Sequence, residues 1–74
     1  MDWNKIVGAN VRRLRVERKL TQEQLAHDAE IDVTYLRGIE AERRNPSIAV
    51  VGRIAAVLGC RPTLLLDDNI DKLT

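Results

Sequence analysis

The 74-residue sequence predicts an all-α domain of five short helices. Three observations predict it. Apolar residues recur at spacings of three and four along most of the chain, the period of one helical face. Thr, Asp or Ser stands just ahead of several of these runs, where a side-chain oxygen can cap free backbone N–H groups. The apolar residues are 45% of the chain and nearly all aliphatic, since Trp3 and Tyr35 are the aromatics and Phe is absent, so the expected core is Val, Ile, Leu and Ala.

Trp3, Ile6, Val7, Val11 and Leu14 form one apolar stripe of a first helix expected from about Trp3 to Lys19, with a basic opposite face. Trp3 is expected to plug the core at the N-terminal end. Thr21 followed by Gln24 matches a capping box and opens a second helix, about Gln22 to Ala29, that buries Leu25, Ala26 and Ala29. Asp32 is the next N-cap, for a third helix from Val33 to about Ala41 with Leu36 and Ile39 turned inward. Gly38 inside that helix costs about 1 kcal/mol relative to Ala, and either weakens the case for the helix or marks a close approach to the backbone. Glu42-Arg43-Arg44-Asn45-Pro46 makes a loop. Ser47 caps a fourth helix with Ile48, Val51, Ile54, Ala55 and Leu58 inward, and Gly59 stops it. Pro62 suits the first turn of a fifth helix, about Pro62 to Leu66. The whole of residues 1–74 reads as one domain.

Composition excludes several classes of function. The longest apolar runs, such as Ile54 to Leu58, are too short to span a bilayer, and the N-terminus lacks a signal-peptide pattern, so a cytoplasmic protein without membrane contact is expected. One Cys and one His leave no metal-ligand set and no internal disulfide. His27 and Cys60 lack partners at a catalytic spacing, and no glycine-rich phosphate loop is present. No enzyme activity, cofactor, metal or small-molecule ligand is expected. A core this small supplies about 3–5 kcal/mol alone, which leaves oligomerisation as the available support.

Twelve Lys or Arg nearly balance eleven Asp or Glu, but the charges are not spread evenly. Residues 12–19 hold Arg12, Arg13, Arg15, Arg18 and Lys19 against Glu17 alone, a local net charge of +4. Such a run suits a phosphate-facing surface, or else a solvated helix face. Acids gather instead near the C-terminus, at Asp67, Asp68 and Asp71.

Several blocks, in order and at matching spacing, carry a family resemblance: Leu20-Thr21-Gln22-Glu23-Gln24-Leu25-Ala26, Tyr35 to Glu40, Arg43-Arg44-Asn45-Pro46-Ser47, Ile54-Ala55 and Leu58-Gly59. Over about residues 4–66 the chain resembles the Cro/repressor-type (XRE-like) helix-turn-helix regulators of bacteria and phages. The stretch from Asp32 to Pro46 also resembles the controller proteins of restriction–modification systems. The resemblance implies a helix-turn-helix at about 21–41, and helices four and five, about 47–66, as a dimerisation region.

It also implies roles. Val33, Thr34 and Arg37 stand where such regulators touch base edges: Arg37 can bond guanine bidentately, Val33 can pack on a thymine methyl, and Thr34 can serve a base or a phosphate. Controller proteins commonly carry Arg at the place of Val33, so the guanine that Arg reads is not expected in this operator. Arg12, Gln22, Tyr35, Arg43, Arg44 and Asn45 are candidates for phosphate contact. Gln22 is alternatively a polar first-turn residue, Tyr35 alternatively packs against the second helix, and the 43–45 loop is alternatively only solvated. Arg15 and Glu40 match a structural ion pair between the first and third helices. Glu30 and Glu42 replace the Gly or Asn usual at two helix ends, where a left-handed backbone costs about 1–2 kcal/mol.

Val50 and Val57, left over from the inward stripe, and Leu64, where a charge is common in the family, suggest a dimer interface, or else complete a monomer's core. Ile70 and Leu73 add to either arrangement. The expected function is a dimeric transcriptional regulator on a palindromic operator in double-stranded DNA, autoregulatory and with RNA polymerase as a further possible partner. The alternative is an antitoxin or accessory module that uses the same fold mainly to bind a partner protein.

Overall fold

The computed structural model describes residues 1–68. They form α1 (Trp3–Glu17), α2 (Gln22–Asp28), α3 (Val33–Glu40), α4 (Ile48–Leu58) and α5 (Pro62–Leu65), with no strand among the described residues. Asp71, Ile70 and Leu73 lie outside them.

Side-chain oxygens start four of the helices. Asp2 accepts from the Lys5 N–H at 3.2 Å, Asp32 from Thr34 at 2.7 Å and Ser47 from Val50 at 3.1 Å. Thr21 and Gln24 make the expected reciprocal box, at 3.0 and 2.8 Å. At α5, Pro62 takes the first helical position, where a missing N–H costs nothing.

The four longer helices end alike. The backbone N–H groups of Leu20, Ile31, Arg43 and Cys60 donate back to the carbonyls of Arg15, Ala26, Gly38 and Ala55, closing Schellman turns. Each turn needs one left-handed residue. Gly59 supplies it after α4, but Lys19, Glu30 and Glu42 supply it elsewhere, at φ of 56°, 58° and 66°. Glu30 and Glu42 thus keep the left-handed turn despite its cost to a Glu, where the absence of Gly or Asn had suggested that the local turns differ. At Lys19 the same turn ends α1 at Glu17, two residues before the expected boundary.

The core is aliphatic, with Val11, Leu25, Leu36, Ile39, Ile54 and Leu65 fully buried. α1 meets α3 where Gly8 faces the Ile39 carbonyl, and a Cβ at Gly8 has no room beside that oxygen. Asn10 is a buried polar residue on the inner face of α1. Its Nδ2 donates to the carbonyls of Leu65 at 2.9 Å and Asp67 at 2.8 Å, with Leu64 at 3.4 Å, and so satisfies the C-terminal end of α5.

Three expectations about apolar residues are corrected. Ile48 is 91% exposed instead of inward, because it is the first residue of α4 and side chains tilt toward a helix's N-terminus, here beyond the edge of the bundle. Val50 is buried instead, so the inward arc of α4 is Val50, Val51, Ile54, Ala55 and Leu58. Trp3 is 51% exposed, resting at the rim of the core without plugging it.

Candidate nucleic-acid interface

α2 and α3 are joined by the turn Ala29–Asp32, and their relative placement is held by a charged knot from α1. Arg15 donates to Glu40 through Nε at 2.7 Å and Nη2 at 3.0 Å, and through Nη1 to the Leu20 carbonyl at 2.8 Å. The Glu40 side chain is only 4% exposed and that of Arg15 14%. The hydrogen bond to Glu40 is the main cause that holds the Arg15 guanidinium above its ordinary pKa, against the opposing effect of burial. The knot extends to α2, since Gln22 Nε2 donates to Glu40 Oε1 at 3.1 Å. One amide N–H of Gln22 is thereby committed, and the side chain is fixed at the start of α2.

The candidate base-reading residues differ in their freedom. Thr34 is exposed, whereas Val33 is half-buried and packs on the core. Arg37 does not stand as an unpaired positive charge on α3: its Nη2 donates to Glu23 Oε2 of α2 at 2.8 Å. The positive charge that Arg37 brings to α3 is therefore offset by an acid from the neighbouring helix. The Glu23 carboxyl sits below the ordinary carboxylate range, chiefly through its own backbone N–H and then through Arg37.

The loop after α3 is tied back to that helix. The N–H groups of Arg43 and Arg44 both donate to the Gly38 carbonyl, at 2.9 and 3.2 Å. The aliphatic stem of Arg44 crosses Gly38 where any Cβ would lie, which explains the glycine. The Arg44 guanidinium stacks over Tyr35, 5.1 Å from the ring centroid, in cation–π geometry. Tyr35 is half-buried, and its hydroxyl donates to the Asn45 carbonyl at 3.4 Å. Thr34, Arg37, Gly38, Arg43 and Arg44 consequently line one groove. Arg12 is exposed and joins Arg15, Gln22, Arg37, Glu40 and Ala41 around the adjoining cleft.

The basic run at 12–19 is divided among different tasks. Arg15 is in the knot, Arg13 reaches Glu17 at 3.9 Å, and Arg18 Nε donates to the Leu58 carbonyl at the end of α4. Arg12 lines the α2–α3 side beside the paired Arg15. Periodicity alone does not reveal this division, because Arg15 and Arg18 find partners on other helices, Glu40 of α3 and the Leu58 carbonyl of α4.

On the apolar side, Val50 belongs to the core, so it is not available to a partner as expected. Val57 and Leu64 are half-buried against the core. A separate apolar groove is lined by Trp3, Ile48, Val51, Pro62 and Leu66. His27 is exposed and Cys60 is a free, half-buried thiol whose pKa burial raises. Among the described residues, no three His, Cys, Asp or Glu side chains are grouped to hold a metal, and no helix is long and apolar enough to cross a membrane.

The sequence model of the family described as helix-turn-helix matches residues 11–65. The immunity repressor protein of Bacillus phage phi105 is 39% identical over 63 residues; the match covers 85% of this chain and 44% of the repressor, so the chain spans less than half of that relative. The crystal structure of the restriction–modification controller protein C.AhdI from Aeromonas hydrophila is 32% identical, with a TM-score of 0.81, covering 84% of this chain and 94% of that one. SinR, the master regulator for biofilm formation from Bacillus subtilis, crystallised in complex with DNA, is 32% identical with a TM-score of 0.79, covering 82% of this chain and 98% of that one.

Proposed function

The chain belongs to the helix-turn-helix family, and from that membership we propose that it is a sequence-specific, DNA-binding transcriptional regulator that lays α3 in the major groove. The observation that carries the proposal is the groove in which Thr34 and Arg37 of α3 meet Arg43 and Arg44 of the following loop. Base-edge donors and phosphate-seeking cations thus share one surface, as docking in a groove about 12 Å wide requires. Arg37 bonds a guanine, Thr34 a base or phosphate, and Val33 packs on a thymine methyl with the part of its side chain left exposed. Arg12, Arg43, Arg44 and Asn45 contact phosphates. Gln22 offers a phosphate its second amide N–H, the first being held by Glu40. Tyr35 acts chiefly as the platform for Arg44, and reaches a phosphate only by turning its hydroxyl proton away from the Asn45 carbonyl.

The regulator works in the cytoplasm as a homodimer joined through α4 and α5, with Val57 and Leu64 at the interface. A twofold dimer sets two copies of α3 about 34–36 Å apart, one turn of DNA, and selects a palindromic operator. Control of its own promoter, with contact to RNA polymerase, follows the pattern of controller proteins.

Selection of bound duplexes from a random library, followed by salt titration of the selected site, tests the proposal. The expected result is a palindrome with half-sites one turn apart, and affinity that falls by a decade or more between about 50 and 200 mM salt. A single asymmetric half-site refutes the dimer. No enrichment at 50 mM salt refutes DNA recognition and leaves a protein-binding module.

A further inference from the structure

We infer that Glu23 is a specificity-determining positioning residue: it fixes the Arg37 guanidinium for base reading without touching a base itself. The inference rests on the proposed role of α3 as the recognition helix. Glu23 lies in the first turn of α2, and its Oε2 accepts from Arg37 Nη2 at 2.8 Å across the α2–α3 junction. The two side chains are 65% and 50% exposed, and an ion pair so exposed adds little to folding. The helix dipole accounts for an acid at that position, but not for its bond to a residue one helix away.

The electrostatic setting supplies the reason. Arg37 borders two clefts, one also lined by Arg12 beside the Arg15–Glu40 pair and the other by Arg43 and Arg44. Like charges on both sides drive a long, flexible guanidinium outward into water, and Glu40 is already committed to Arg15 and Gln22. Glu23 counters that drive directly. It takes one of the five guanidinium N–H donors and leaves the pair needed for bidentate contact with guanine O6 and N7. Arg37 therefore surrenders less rotamer freedom when DNA arrives. The same carboxylate repels nearby phosphates, so its removal has opposite effects on recognition and on general attraction to DNA.

The test uses the full chain as wild type, E23Q, R37A and E23Q/R37A, with thermal melts to show that each folds. Binding is measured on the selected operator, on each of its single base-pair substitutions and on random-sequence duplex. R37A is expected to lose about tenfold or more in discrimination at one base pair. E23Q is expected to lose roughly three- to tenfold at that same base pair, within the range such a contact supplies, and the double variant no more than R37A. Binding of E23Q to random duplex stays level or tightens.

Full discrimination in E23Q overturns the inference, whether its operator affinity is unchanged or uniformly raised; Glu23 is then a passive surface charge. Loss of discrimination at a different base pair, or a double variant worse than R37A, overturns it as well. If wild type discriminates at no position, or R37A behaves as wild type, the failure lies with the recognition-helix reading.

Discussion

Asn10 offers the sharpest test of the packing, because one buried amide holds the end of a four-residue helix. Its Nδ2 carries two hydrogens and has two carbonyls within 2.9 Å, those of Leu65 and Asp67. Asn10→Leu removes both bonds and strands the buried Leu65 carbonyl. Each bond is worth about 1 kcal/mol net and the stranded carbonyl about 1–3 kcal/mol, so a loss near 2–3 kcal/mol is expected after allowing for water access at Asp67. In a domain of this size that lowers Tm by roughly 10–20 °C. Asn10→Asp is worse at pH 7, because a carboxylate faces carbonyl oxygens in a buried site. Its pKa must rise above the unfolded value of about 3.9. The folded state then binds more protons than the unfolded state, so the deficit against wild type grows as pH rises through the unfolded pKa and shrinks as pH falls. Urea or thermal melts by circular dichroism at pH 7 and pH 4 read both effects. A Leu variant melting within a few degrees of wild type, or an Asp variant with the same deficit at both pH values, refutes the reasoning.

Four further outcomes are expected. Glu40→Ala strands the buried Arg15 guanidinium and should cost about 3–5 kcal/mol in denaturant unfolding, with a smaller loss in Glu40→Gln; an Ala variant within 1 kcal/mol of wild type contradicts the knot. Glu30→Gly relieves left-handed strain of about 1–2 kcal/mol at the cost of extra unfolded-state entropy, for a net gain of about 0.5–1 kcal/mol in the same assay. Gly38→Ala must move the stem of Arg44, so affinity for every DNA sequence should drop severalfold while stability stays within about 1 kcal/mol, the size of the Gly-to-Ala helix effect; unaltered binding removes Arg44 from the interface. Arg43→Ala should weaken all sequences equally and reduce the salt slope by about one, in contrast to the single-position effect of Arg37→Ala.

Local signals account for most of what was legible before folding was considered. The boxes and caps at Thr21, Asp32 and Ser47, the proline at 62 and the glycine stop at 59 all operate within a few residues, and they stand where they were expected. Gly38 also announced a close approach, though not that Arg44 makes it. The inward arc of α4 was misjudged at two residues, Ile48 and Val50, because both are compatible with helical spacing. Which of them is covered depends on how α1 and α5 sit against α4. Gly8 gave no sequence signal, and its reason is a carbonyl on α3.

The charged residues divide in the same way. Their types and clustering by themselves located a basic run at 12–19, while the family resemblance implied the helix-turn-helix and the pairing of Arg15 with Glu40. Only the tertiary structure decided that Arg18 serves the end of α4, that Glu23 holds Arg37, and that Asn10 binds carbonyls 54 to 57 residues away. Caps and helical periods are written in neighbours three or four residues apart, so the chain states them wherever it goes. A buried donor or a guanidinium takes whatever acceptor packing brings within about 3 Å, and that choice exists only once the helices have met.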